Sequence, residues 1–149
     1  MTQGERLAEF SDAVRESTLK RLTIVPAGAE NWRISEDSMS FADIAQHLID
    51  ADKWLFKKLE SKDYPRMVGS SGSTHMNNRD EYLGLLDELK QTQEMRRALL
   101  ENMSDEEFDV MMHDERFGNV SAWWVIVRGN LDHEIHHRGQ MVAYLKMAK

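Results

Sequence analysis

Residues 130–140 read Asn-Leu-Asp-His-Glu-Ile-His-His-Arg-Gly-Gln, a polar stretch inside a long helical pattern. His133 and His137 are four residues apart, so an α-helix places both imidazoles on one face, within reach of a shared ion. His136 falls on a different side of such a helix, which we expect to face solvent. Spacing alone does not distinguish a metal site from core histidines that are satisfied by hydrogen bonds.

The helical pattern around this stretch runs from about Val120 to Met147. The face of His133 and His137 borders an apolar stripe with helical spacing. We predict that the residues of this stripe face inward: Trp124, Val127, Leu131, Ile135, Val142 and Leu145.

Three further stretches have helical periodicity. The first covers about residues 4–22. The second begins after Ser40, a good N-cap, and ends before Pro65. Asn78 and Glu81 form a start signal like a capping box for the third.

The connections predict how the helices are arranged. Residues 68–76 (VGSSGSTHM) are rich in Gly and Ser and predict a flexible crossover loop, and Ser104–Phe108 predicts a short capped turn. His75 and His113 are assigned to loops, and no stretch has a convincing strand alternation. The sequence therefore predicts an all-α four-helix bundle, a single domain over residues 1–149, that is not simply up-down-up-down.

Composition excludes several classes of protein. The net charge is −7, with no basic stripe, which argues against nucleic-acid binding. There is no cysteine, so disulfides and thiolate metal ligands are excluded. No apolar run approaches the length of a membrane span, and the N-terminus has no signal-peptide pattern, so we expect a cytoplasmic protein without a membrane partner.

A third ligand has to come from another helix, and His47 is the only histidine in the second predicted helix. It borders the apolar stripe of that helix, beside Leu48. Each of the three histidines could instead be a core residue held by a hydrogen bond, and both interpretations stay open on this evidence.

Two motifs add a resemblance that covers the whole chain. Ser40-Phe-Ala-Asp-Ile-Ala-Gln-His47-Leu, followed far downstream by residues 130–140 with their HxxxHRGQ signature, resembles the DinB/YfiT-like superfamily of bacterial metalloproteins. The resemblance implies an up-down-down-up bundle with a long crossover between helices two and three. It also implies one divalent metal ion per chain, nickel or zinc, held by His47, His133 and His137.

Several other residues are candidates for the site. Asn130, Gln140 and Arg96 are predicted to steer a bound substrate. Arg96 interrupts the apolar stripe of the third helix together with Gln93, and the alternative is that both lie at its edge and reach water.

Three residues near His47 have two interpretations each. Asp43 and Asp50 lie one turn on either side of it and could orient its imidazole, but a capping role for Asp43 and a solvated one for Asp50 are favoured. Trp54 could form the wall of a substrate pocket, although core packing is the more common role.

Three neutral imidazoles leave a divalent ion its full charge and an open position, which is typical of catalytic sites. Families related by the resemblance include enzymes that transfer low-molecular-weight thiols to electrophiles. We therefore expect a metal-dependent transferase of this type, active in stress response or detoxification, with a small-molecule thiol and an electrophile as partners and a homodimer left open. The alternatives are a metal-assisted hydrolase and a non-catalytic metal-binding module.

Overall fold

A computed structural model describes residues 1–69 and 71–148; Ser70, within the predicted crossover loop, and Lys149 lie outside the described residues. Three long helices come first, α1 (Gln3–Thr23), α2 (Phe41–Ser61) and α3 (Arg79–Glu101). A short helix follows, and then a hairpin. The fourth long helix is built from two α-helical segments joined by a π-helical turn. The later elements are α4 (Asp105–Phe108), β1 (Met111–Asp114), β2 (Gly118–Ser121), α5 (Ala122–Ile126), the π turn (Val127–Leu131) and α6 (Asp132–Met147). The predicted all-α bundle is confirmed.

Side-chain caps set where the helices begin. The Ser40 hydroxyl accepts the Asp43 N–H, and the Asp43 carboxylate accepts the Ser40 N–H, which completes a capping box. Asn78 caps α3, and Ser104 forms the same kind of box with Glu107 at α4. These predicted starts are confirmed.

The absence of strands was predicted wrongly, and the fourth helix begins two residues after the predicted start near Val120. Val120 pairs with Met112 in an antiparallel hairpin, and the helix begins only after Ser121, its N-cap. His113 lies in β1, not in a loop. Each strand has four residues, too few for alternation to stand out from a helical pattern. Gly118, with φ of +76°, provides the left-handed residue that the hairpin turn needs.

Contacts between helix ends give the directions of the helices. The Tyr82 hydroxyl at the start of α3 donates to Leu22 O at the end of α1, so these helices are antiparallel. Ile44 of α2 and Tyr82 of α3, both near their helix starts, share one core cluster, and Leu55 and Leu100, nearer the helix ends, share the other, so this pair is parallel. Met141 in α6 packs with the Leu22 end of α1, whereas Leu131 packs at the other end of the bundle. The order is therefore up-down-down-up, as expected.

The core has two apolar layers. One layer is near the start of α2 and is centred on Leu22, Phe41, Leu48 and Leu86. The other is at the opposite end and includes Leu55, Leu100, Phe108, Val125 and Leu131.

Between these two layers, each long helix contributes one buried charged side chain. We call these four residues the ionic layer: Arg15 from α1, Asp52 from α2, Arg96 from α3 and Glu134 from α6. Each is at most 1% exposed. Two positive and two negative charges balance within the layer.

Short bonds pair the four charges of the ionic layer. Arg15 Nη2 donates to Asp52 and to Glu134, each at 2.8 Å. Arg96 Nη1 donates to Glu134 at 2.8 Å and to Asp52 at 3.1 Å. Burial by itself would raise the pKa of Glu134, but the charges of Arg96 and Arg15 outweigh it and lower that pKa to about 2. Glu134 is therefore ionised at neutral pH.

The inward face of the fourth helix differs from the predicted one. Of the predicted stripe, Leu131 is buried as expected, and Trp124 and Leu145 are half-buried against the core, but Val127 and Ile135 are only half-buried and Val142 is exposed. The residues that face the core are Asn130, Leu131, Glu134, His137 and Met141. The prediction assumed an apolar inner face, whereas the ionic layer puts a polar face inward, and the π turn changes the register ahead of it.

None of the helices within the described residues is long and apolar enough to cross a membrane.

Replacing one arginine of the ionic layer should strongly destabilise the fold. Arg96→Met keeps the length of the side chain but leaves Asp52 and Glu134 with one arginine between them. We expect the free energy of unfolding to fall by about 3–5 kcal/mol, the usual effect of removing one partner of a buried ion pair. Urea denaturation measures it.

Arg97→Met is the matched control, because Arg97 pairs with Glu101 at the exposed surface of the same helix. It should change the stability by less than about 1 kcal/mol. If Arg96→Met were as stable as Arg97→Met, the ionic layer would not hold the helices together.

Candidate metal centre

Three histidines converge from two helices. His47 lies in the second turn of α2, and His133 and His137 lie in the first two turns of α6. His133 Nε2 lies 2.9 Å from His47 Nε2 and 3.0 Å from His137 Nε2. One ring nitrogen of each residue lies within 4.8 Å of the other two, so the cluster could hold a metal ion.

The ionic layer positions this cluster. Glu134 follows His133 directly on α6 and accepts from Arg15, Arg96 and the Thr18 hydroxyl. These bonds fix how α6 is rotated about its axis. With Glu134 held inward, His133 and His137 are directed towards α2.

Burial keeps the three rings neutral. It lowers the pKa of His133 to about 3, with further lowering by the neighbouring His137 and His47 rings. It lowers the pKa of His137 to about 4, although the bond to Gln140 acts in the opposite direction. Burial also lowers the pKa of His47. At neutral pH each ring therefore has a free lone pair, the form in which imidazole binds a metal.

Gln140 orients one of the rings. Its Oε1 lies 2.8 Å from His137 Nδ1, and an amide oxygen only accepts, so Nδ1 carries the proton. The Nε2 lone pair of His137 then points into the cluster. Substrate binding by Gln140 stays a prediction.

The two short contacts of His133 Nε2 are explained better by a bound cation than by hydrogen bonds between the three rings. A proton on His133 Nε2 can point along only one of its two short contacts. A proton on Nδ1 would leave the Nε2 lone pairs of His133 and His137 facing each other, and Nδ1 is buried without a hydrogen-bond partner among the described residues. An ion that accepts one lone pair from each ring removes the repulsion between these nitrogens. The donor set therefore fits a metal ion.

The structure separates the neighbouring candidates by role. His136 is exposed, as expected, and Asp50 is exposed and accepts from Gln46. Asp43 caps α2 and also accepts the N–H groups of Gly72 and Thr74, so it fastens the crossover loop and does not bond to His47.

The substrate-binding role predicted for Arg96 and Asn130 is not supported. Both are at most 1% exposed. Arg96 donates to Ser11, Asp52, Asn130 and Glu134, and the Asn130 amide donates to Ala51 O and Asp52. Both therefore serve the ionic layer and cannot reach a substrate. A polar residue on an inward helix face can belong to a buried ion pair or to a polar cavity, and the sequence pattern is the same for both.

A cavity of about 240 Å³ opens beside His133. Trp54 forms part of its wall, with Nε1 donating to Pro65 O, which supports the pocket interpretation of this residue. The hairpin contributes Asp114, Arg116 and Phe117. These three residues were not predicted to line a site, because no hairpin was expected; the signal available was the Gly118 turn between two short apolar runs.

Gly69 is a further residue whose role was not predicted from the sequence. A Cβ atom added there would lie 2.9 Å from His47 Cε1 and 3.0 Å from Met39 Cε. The chain can therefore pass this close to His47 only without a side chain at position 69. The Gly/Ser-rich composition of the loop concealed this specific requirement.

Comparison with known proteins agrees with this architecture. Among solved structures, a DinB-like protein from Bacillus subtilis, YjoA, has a similar fold, with a TM-score of 0.70 and 18% sequence identity. The superposition covers 95% of this chain and 90% of the other. A search of curated proteins finds no significant match. The sequence matches the profile of the DinB superfamily over residues 11–141, most of its length, and the chain therefore belongs to the DinB superfamily.

Proposed function

We propose that this protein binds one divalent metal ion, nickel or zinc, through His47, His133 and His137, and that it uses the ion to transfer a low-molecular-weight thiol to an electrophile. The observation that carries the proposal is the convergence of three neutral imidazoles on one point. Imidazole is a good ligand for both metals.

The residues around the cluster support a reactive site over a closed structural one. Neutral histidines cannot cancel the charge of a divalent ion, so a bound ion would remain a strong Lewis acid. Within the described residues, His47, His133 and His137 are the only cluster of three side chains that could hold a metal ion. When bound, the ion acts as a Lewis acid that lowers the pKa of a thiol or of water. Gln140 and Glu134 hold His137 and the α6 backbone in the orientation that this requires.

Access and composition also support the transferase. The cavity beside His133 gives a small molecule a route to the cluster. The chain has no cysteine, so no thiol of its own competes for the ion or for the electrophile.

Removing His137 should abolish metal binding, whereas removing the adjacent His136 should not. We expect wild-type protein to retain close to one equivalent of metal, and His137→Ala to lose it, because two imidazoles bind an ion far more weakly than three. Mass spectrometry of the elements in dialysed protein measures the ratio. His136→Ala is the matched control and should stay loaded, since its ring lies on the exposed side. Full occupancy in His137→Ala would refute the site.

Gly69→Ala should weaken metal binding without unfolding the protein. The added methyl group displaces the His47 ring, and we expect the dissociation constant for zinc to rise about 10-fold or more, the range seen when the support of a ligand is disturbed. A competition titration with a chromogenic chelator measures it.

Gly84→Ala provides the comparison for Gly69→Ala, because nothing lies within 4 Å of a Cβ added at this exposed helical position. It should leave the zinc affinity unchanged and stabilise α3 slightly. Equal affinities for the two variants would show that the loop does not constrain His47.

Metal-loaded protein should speed the reaction of bacillithiol, glutathione or mycothiol with 1-chloro-2,4-dinitrobenzene. The thiol loses its proton, its sulfur bonds to the ring carbon, and chloride leaves. We expect a rate at least 10-fold above that of metal-loaded buffer, followed by absorbance of the product, and no such gain with His137→Ala. If no thiol reacts faster although the metal is bound, the transferase assignment fails and the hydrolase or binding-module alternatives replace it.

A further inference from the structure

We propose that the cavity beside His133 is a binding subsite for a small organic anion with a flat apolar body. Its wall combines three arginines with three aromatic rings. The arginines are Arg66, Arg116 and Arg128, and the rings belong to Trp54, Phe117 and Trp124.

The cavity is positive on a protein that is otherwise acidic. Asp114 is the only carboxylate among its lining residues, against three arginines, whereas the whole chain has a net charge of −7. Such local excess attracts an anion and raises its concentration at the site.

Asp114 neutralises only one of the three positive charges, and its carboxylate is held by the hairpin turn and by Arg66. Its Oδ2 accepts the N–H groups of Arg116 at 2.9 Å and Phe117 at 2.8 Å, and it lies 3.3 Å from Arg66 Nη1. Burial by itself would raise the pKa of Asp114, but these N–H groups and the charge of Arg66 lower it. Asp114 therefore shapes the turn and holds Arg66 at the cavity.

The other two arginines remain available to a ligand. Arg116 has no carboxylate partner anywhere in residues 1–69 and 71–148, and its side chain is exposed at the hairpin turn. Arg128 pairs with Asp132 at 3.3 Å, but both side chains are more than half exposed, so this pair is weak and can exchange. Two guanidinium groups at one opening suit a carboxylate, sulfonate or phosphate.

The aromatic rings define the rest of the ligand. The bond from Trp54 Nε1 to Pro65 O fixes the indole in the wall, and a Cβ added at Gly129 would lie 3.4 Å from it. Phe117 packs on Trp124 with ring centroids 5.2 Å apart. These aromatic faces favour a flat body that can stack on them.

His133 lines the same cavity, so an anion bound there would lie beside the metal centre and could be a substrate. This role as a substrate rests on the proposed function. Binding of the anion itself does not require the metal. The two claims can therefore fail separately, and the test uses protein kept metal-free with a chelator.

The probe is 2-naphthoate, and its neutral counterpart 2-naphthalenemethanol has the same body without the charge. Isothermal titration calorimetry compares the wild type, the double variant Arg116→Gln/Arg128→Gln, and Arg97→Gln, which removes an arginine from the outer face of α3. We expect the wild type to bind 2-naphthoate about 10-fold more tightly than the alcohol, which is about 1.4 kcal/mol. The double variant should lose that preference, and Arg97→Gln should keep it.

Equal binding of naphthoate and alcohol by the wild type would overturn the anion subsite, as would unchanged binding by the double variant or no binding at all. If naphthoate bound instead to the exposed apolar surface around Phe10 and Trp123, its affinity for the double variant would equal that for the wild type, and the proposal would be refuted. If the preference holds but the protein takes up no metal, the subsite stands and the proposed function fails.

Discussion

Four charges with almost no access to water lie across the middle of this bundle, and the rest of the structure is arranged around them. An isolated buried charge is very costly, so Arg15, Asp52, Arg96 and Glu134 are tolerable only while all four stay paired. Each comes from a different long helix. A helix that slid or rotated would leave a charge unpaired, so the ionic layer selects one register for the bundle, which apolar packing alone specifies less sharply.

The metal centre follows from that register. Glu134 is held by two arginines and by Thr18, and it follows His133 and precedes His137 on the same helix. The bonds that keep the four charges paired therefore also direct two imidazoles towards His47. The apolar layers on either side stabilise the fold but make no demand on where a histidine points. In this account, the ionic layer provides the rigid support on which a preorganised donor set depends.

Much of the bundle could be predicted from the sequence, because helix caps and periodicity are local signals. Ser40 and Asn78 define helix starts through bonds to residues three positions away, so their effect can be seen without knowing the fold. The pairing of His133 with His137 is equally local. Their meeting with His47 is not, and it needed the resemblance to a known family.

What the sequence could not provide depends on contacts between distant residues. Arg96 and Asn130 are polar residues on inward faces, and only the positions of Asp52 and Glu134 show that they are paired internally. The hairpin has strands of four residues, so its pattern is too short to detect, and the cavity wall that it supplies was missed with it. Gly69 matters through its distance from His47, a contact that no local pattern encodes.

The most direct test of this account is an anomalous difference map from a crystal of the zinc-loaded protein, collected on both sides of the zinc absorption edge. We expect one strong peak, bonded to Nε2 of His47, His133 and His137 at about 2.0–2.1 Å, with the four charges of the ionic layer paired as described. A peak at any other set of ligands, or none from a loaded crystal, would contradict it.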